Sequence, residues 1–402
     1  MRKASILVLG LLIIFLLGCS SQMKPLSIEI NKLNLLLAIG IDKGIKDPNN
    51  IRITVISKKN TNEKSEKSET KKQSTASIYS NEAQTLLESQ RAFQTFSDKL
   101  MYWGHVEYFL IGEEVAKEGI AKYIDFLTRD FSFRESAKVY IIKGSTAEEF
   151  IRQSSTGDYF MPDKLKTISD NCNYFSGCQD LTILEFMQWL NNKYSSAIAP
   201  VLCLKSKENL ISDENKPMKD IETDGYAIFK RLKLVTTIDK IKARGEDFLL
   251  NTIISRAINV KDSSGNMVGL DLLESKTKIT PVFNKGIIKE INVKVKLSSN
   301  INEVHSSSLK INRETVDYLS KEQSLVVKNE IESVIKTAQE KNCDFIDIAD
   351  VFSTYHPILW QRHKDKWEEI FPNLPISVEV QSKINRSYNI REPNGVFEEE
   401  HK

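Results

Sequence analysis

The sequence predicts an α+β chain of three mixed α/β domains behind a lipoprotein signal peptide. Three observations carry this. A short apolar run stops at a single cysteine, Cys19. Strand-period and helix-period patterns then alternate as far as Leu190, and the last third pairs alternating strands with one long amphipathic helix.

At the N-terminus, Arg2 and Lys3 precede an uncharged apolar run from Ile6 to Leu17. Crossing a bilayer takes about 20 apolar residues, so this run is too short to remain as a span. A positive flank, a short apolar core and a small residue before the cut mark a secretion signal. Leu16-Leu17-Gly18-Cys19 reads as a lipobox, in which the thiol receives diacylglycerol and the preceding bond is cleaved. Residues 1–18 are therefore the signal peptide and Cys19 is the lipid attachment site. At about 0.8 kcal/mol per buried methylene, one acyl chain holds marginally and two or more hold firmly. No later stretch has the length of a span, LNLLLAIGI included, so the expected protein is anchored rather than spanning.

Losing Arg2 and Lys3 takes the 56 basic residues down to match the 54 acidic ones. A neutral chain has no long-range field for nucleic acid or anionic substrates. Beyond Cys19 stand Cys172, Cys178, Cys203 and Cys343. The near pair in CNYFSGC is expected as free, partly buried thiols, with a small disulfide loop outside the cytoplasm as the alternative, since spacing alone does not establish connectivity. CxxC pairs with neighbouring histidines, which zinc would need, are lacking.

The first domain is expected over 19–205. SSQMKPLS is a polar tether, LNLLLAIGID a buried strand ending at Gly40, and GIDKG a turn. In IRITVIS, Ile51, Ile53 and Val55 share one strand face. Residues 57–77 form a Lys-rich loop, mobile because its polar stretch cannot build a core, with interspersed glutamates that make it a solvated excursion. Helical spacing runs from Asn81 to Lys99, HVEYFLIG is a strand, and Gly112 opens a helix with Glu113 and Glu114 in its first turn. That helix points Val115, Ile120, Ile124 and Leu127 inward. AKVYIIKG gives a strand and Ser145–Ile151 a short helix; 154–180 is irregular, and LTILEFMQWLNNK is the closing helix. SKENLISDENKPMKD reads as a linker to a small middle domain over 218–275, whose DGYAIFKRLKLVTTI is a hairpin followed by a helical GEDFLLNTII.

The last domain, 276–392, is α+β. Ile291, Val293, Val295 and Leu297 alternate with polar residues in a strand with one wet face. A helix over about 317–340 turns Val327, Ile331, Val334, Ile335 and Ala338 inward. ILWQRHKDKWEEIF is a helix between Pro357 and Pro372, and Ile376, Val378, Val380 and Ile384 lie on one face of a closing strand.

The search for chemistry finds no G-x-S-x-G, H-E-x-x-H or Walker-type phosphate loop. GIDKG lacks the third glycine of a dinucleotide turn. His105 is expected in packing, and His356 and His363 straddle Pro357 without a shared metal-binding face. Trp360 and Trp367 are expected to fill a core, with a partner-contact stripe as the alternative. No enzyme is expected.

EINKLNLLLAIGIDKG, WGHVEYFLIGEEVAKEGIAKYIDFLTRD, DGYAIFKRLKLV and the stretch from SVIKTAQEKNCDFIDIADVF to LPISVEVQSKI occur in an order that resembles the C subunit of spore germination receptors, the Ger(x)C lipoprotein family. The chain departs from the family in carrying SSQMKPLS where members have Trp-Asp and paired arginines after the cysteine. The resemblance implies a non-catalytic, cofactor-free subunit of a germinant (nutrient) receptor. Lipid-anchored at the outer face of the spore inner membrane, it would couple or scaffold membrane-spanning A and B subunits. The alternative is an extracytoplasmic solute-binding lipoprotein, a class built from two similar lobes around a hinge.

Overall fold

The computed structural model describes residues 28–387 except 60–75, 96, 131, 157–158, 175–176, 212–216, 254–255, 306–308 and 310. The signal peptide, Cys19 and most of the Lys-rich loop lie outside the described residues.

The α+β expectation holds, with the strands in two sheets. The larger is built from β1 (Leu33–Lys43), β2 (Ile51–Lys58), β3 (Ala76–Ala83), β4 (Leu100–Tyr102), β5 (Tyr108–Gly112), β6 (Lys138–Ile142), β7 (Ala197–Ile211), β8 (Pro217–Lys230) and β9 (Lys233–Ile238). Its order is β3-β2-β1-β5-β6-β7-β8-β9, with the short β4 paired to β1. The central strands β1, β5, β6 and β7 are parallel, and antiparallel hairpins flank them on both sides. The smaller sheet, β10 (Arg256–Lys261), β11 (Met267–Asn284), β12 (Ile287–Val304) and β13 (Ile376–Ser387), is antiparallel except for the β12–β13 pair. A parallel pair requires a crossover, and 313–373 supplies it as helices.

One face of the large sheet buries Ile39, Ile53, Phe109, Ile111, Val139 and Ile141. Packed there are α1 (Leu86–Ala92), α2 (Glu113–Glu118), α3 (Ala121–Arg129) and α6 (Ile183–Leu190). The opposite face, with Ala38, Leu110, Tyr140 and Ile142, is covered by α4 (Ala147–Gln153) and α5 (Met161–Asp170). Over β7–β9 that cover passes to α7 (Lys240–Leu249) and the second sheet, whose own core is closed by α8 (Arg313–Glu340), α9 (Ile348–Tyr355), α10 (Pro357–His363) and α11 (Trp367–Ile370).

The strongly patterned elements stand where their periodicity puts them. Ile291, Val293, Val295 and Leu297 are buried in β12, and Val327, Ile331, Val334, Ile335 and Ala338 in α8. Several expectations need correction. β1 continues to Lys43, so the turn begins at Gly44; Gly40 lies inside the strand, where a Cβ would come within 3.1 Å of Ala147 Cβ on α4. The helix expected from Asn81 shrinks to α1, because ASIYSNEA pairs with β2 as β3. Gly119, at φ 129°, divides the expected Gly112 helix into α2 and α3. Part of the irregular 154–180 is α5, with proline in its first turn. The helix expected over 358–371 is broken by a 3-10 turn at Lys364–Lys366. The linker 206–220 is largely the paired ends of β7 and β8. Residues 218–275, expected as a small middle domain, divide between the sheets: β8 and β9 join the large one, β10 and β11 the small one.

Asp42 ties strand to helix. Its carboxylate accepts from the Ala147 and Glu148 amides at 2.8 and 2.9 Å, satisfying N–H groups that the start of α4 leaves unpaired. Thr146 caps the same helix through the Glu149 amide. Glu148 is held by Arg52, Ser80 and Arg152, and the Arg52 guanidinium is the main reason its carboxyl drops to about 2. Removing a surface cap costs about 1 kcal/mol, whereas stranding buried donors costs about 1–3 kcal/mol. Asp42→Ala should therefore lower the urea-unfolding free energy more than Thr146→Ala does; the reverse order would refute this account of α4.

Candidate functional site

The densest concentration of perturbed groups lies where the two sheets meet. β8 reaches this junction in strict alternation, turning Tyr226 and Ile228 to one side and Ala227 and Phe229 to the other. At Gly225 φ is 83°, and a Cβ there would stand 1.9 Å from Ile238 O. Gly177, at the end of the Cys172–Cys178 loop, packs on Gly225 so closely that its own Cβ would meet Gly225 Cα at 2.5 Å.

α7 supplies Glu246 and Asp247, both essentially without solvent exposure. Asp247 Oδ1 accepts from Tyr226 Oη at 2.7 Å, and the Gly177 amide also donates to this carboxylate. Its Oδ2 stands 3.7 Å from Arg256 Nη2 on β10. Neither carboxyl oxygen of Glu246 has a hydrogen-bond partner. Burial, then the charges of Asp247 and Asp347, push its pKa well up. Arg244 on the same helix grips Glu330 of α8 through Nε–Oε2 at 2.8 Å and Nη2–Oε1, and donates to Ala257 O.

A second knot centres on Asp344. Its Oδ1 accepts from the Ile348 amide at 3.0 Å; Oδ2 accepts from the Ala349 amide at 2.7 Å and Trp367 Nε1 at 3.1 Å. Its backbone oxygen accepts from the Ser196 amide just ahead of β7, so one residue joins the helical layer to the large sheet.

Two clefts flank the junction. One, of about 670 Å³, is lined by Cys172, Cys178, Gln179, Trp189, Asp247 and Arg256. The other, of about 310 Å³, is lined by Tyr194, Lys230, Arg231, Asp344, Trp367 and Glu368. The carboxyls between them hold amides, a phenol, an indole and guanidinium groups in place. Both His363 nitrogens are likewise taken by backbone: Nδ1 donates to Leu359 O and Nε2 accepts from the Ile288 amide. Among the described residues, no group of three or more His, Cys, Asp or Glu could hold a metal ion, and no helix is long and apolar enough to cross a membrane.

Against the expectation of free thiols, the structure joins Cys172 to Cys178 by a disulfide; Cys203 and Cys343 remain as buried free thiols. Trp360 and Trp367 are 4% and 2% exposed, with ring centroids 5.3 Å apart in a cluster with Tyr194, Phe352 and Phe371. Their packing role stands; a partner-contact stripe needs surface, and these rings have almost none. Sequence reasoning missed Asp247, Glu246 and Asp344 because their burial, and contacts such as Tyr226, Gly177, Ser196 and Trp367, come from other elements of the fold. The only local signal was an acidic residue beside large apolar ones, in GEDFLL and NCDFIDI.

Burial raises Asp247 to about 6 and Asp344 and Asp347 to about 7. A carboxyl that holds its proton more tightly when folded contributes stability that is complete below about pH 4 and lost as pH rises through the folded value. Unfolding free energy should therefore fall between about pH 4 and pH 7, less steeply in Asp344→Asn; a wild-type value that rises across this window would contradict it. Tyr226→Phe, which strips Asp247 of its phenol donor, should cost about 1–3 kcal/mol in urea unfolding, and a cost near zero would remove Asp247 from the junction's supports.

Comparison with known proteins divides the chain at the β7–β8 hairpin. Residues 27–204 match the spore germination protein N-terminal domain, and 224–388 match the spore germination B3/GerAC-like C-terminal domain. Spore germination protein KC of Bacillus subtilis (strain 168) is 25% identical over 397 residues, covering 96% of each chain. Spore germination protein B3 of the same organism is 24% identical over 302 residues, 72% of this chain and 75% of that one. A crystal structure of the GerBC protein shares the fold, with a TM-score of 0.56 at 18% identity over 86% of this chain and 96% of that one. With both halves matched in order and nearly the whole length aligned, the chain belongs to the Ger(x)C family of spore germination proteins.

Proposed function

We propose that this chain is the lipid-anchored, non-catalytic subunit of a spore germinant receptor. It is tethered through Cys19 at the outer face of the spore inner membrane, where it couples or scaffolds the membrane-spanning A and B subunits. The observation that carries the reading is the end-to-end relation to spore germination protein KC, together with the Leu16-Leu17-Gly18-Cys19 lipobox. Tethering confines the folded body near its partners and raises its effective concentration, so modest interfaces suffice. A non-catalytic role is supported by how the carboxyls of Asp42, Asp247 and Asp344 are spent, on backbone amides, a phenol and an indole. The solute-binding alternative calls for two similar lobes, whereas among the described residues the sheets, of nine and four strands, differ in size and connectivity.

In spores, Cys19→Ala should move the protein from the membrane to the soluble fraction and abolish the response to one nutrient class, leaving other germinants effective. Affinity purification of the intact protein should bring down two multi-spanning proteins. An unaltered germination response in Cys19→Ala and in a full deletion would defeat the proposal. A small nutrient that raises the protein's melting temperature in the absence of other subunits would favour the solute-binding reading.

A further inference from the structure

We propose that the end of the large sheet where β1 begins rests in the headgroup layer of the bilayer, as a second point of membrane contact beside the lipid. The inference builds on the anchoring at Cys19.

Apolar side chains that are normally scattered on a surface converge here. Ile30 is 72% exposed, Tyr102 43%, Ile28 40% and Leu100 40%. They share one place because β4 pairs in parallel with the first residues of β1, Leu33 with Leu100 and Leu35 with Tyr102, while Ile28 and Ile30 lead directly into β1. β2 ends and β3 begins at the same edge, with Lys58 opposite Ala76. An open groove of about 920 Å³ runs among Ile30, Leu33, Leu35, Tyr79 and His105, with Lys58, Lys59 and Lys99 along it. Lys32 stands beside it, paired with Glu29 at 3.5 Å. Apolar tips beside lysines, with Asp98 among them and Lys58 3.8 Å from Asp163, suit the boundary between headgroups and acyl chains, where an apolar face sinks about 5–10 Å and long cations reach up to phosphates.

Tether length selects the bilayer as the occupant. Cys19 and Ile28 are nine residues apart, which fully extended chain spans in about 30 Å. This edge is therefore never more than about 30 Å of chain from the lipid. Another apolar group, Ile358, Tyr355 and Ile287, is more exposed but belongs to the second sheet and its helices, with no such link to the anchor.

The test uses the full-length lipidated protein, purified from membranes and reconstituted in phosphatidylcholine–phosphatidylglycerol vesicles containing a headgroup-nitroxide lipid. Bimane is attached to Ile30→Cys, Tyr102→Cys or Ile358→Cys; the free thiols Cys203 and Cys343 are buried and do not compete. The proposal expects loss of bimane emission at 30 and 102 but not at 358. It also expects emission at 30 to recover in a Leu100→Asp/Tyr102→Asp background that still floats with the vesicles. Flotation without quenching at 30 and 102, or with equal quenching at 358, overturns the docking face while leaving the anchor intact. Failure to float overturns the anchor and the docking face together.

Discussion

β8 belongs to two cores at once, and the rest of the structure depends on that constraint. Tyr226 and Ile228 pack with the second sheet and its helices, while Ala227 and Phe229 pack with the helices over the opposite face of the large sheet. A strand places successive side chains on opposite faces, so a one-residue slip in register would exchange the two sets and spoil both cores. Trp189 packs against both clusters as well. The two halves matched by separate family domains are thus joined through a shared wall, and the expected linker at 206–220 is part of it as the paired ends of β7 and β8.

Polar groups sharpen this arrangement. Apolar burial is non-directional and tolerates sliding; buried hydrogen bonds do not, because any displaced donor is left unsatisfied. Asp247 reads the positions of Tyr226, Gly177 and Arg256, three elements far apart in sequence. Asp344 does the same for Ser196, α9 and Trp367. Glu246, buried and unpartnered, has its pKa pushed well up by burial and then by the charge of Asp247. In such a body a push on either half is felt by both.

Legibility in the sequence followed the strength of local pattern. The wet-faced strand Ile291–Leu297 and the inward stripe of α8 were readable because each element buries one face throughout. β3 was missed because ASIYSNEA is polar at the sheet's edge and takes its state from pairing with β2. α5 was missed because MPDKLKTISD has few apolar residues, although its proline in the first turn was a start signal. The unity of 218–275 failed for a different reason: two adjacent hairpins look like one domain until long-range pairing assigns them to different sheets. The buried carboxyls were unreadable in principle, since what perturbs Asp247 and Asp344 comes from residues brought together by the fold. The proposal for Cys19 is the opposite case, resting on local sequence alone.

The account's central claim, that one shared strand makes the two halves a single cooperative body, is tested most directly by equilibrium urea unfolding followed at two tryptophans. A variant retaining only Trp103 reports the core of the large sheet, and one retaining only Trp367 reports the core beneath the second. Coincident midpoints and slopes are the result the shared wall requires. Two separated transitions, with one tryptophan released while the other stays buried, would show that the halves fold independently and that β8 does not bind them.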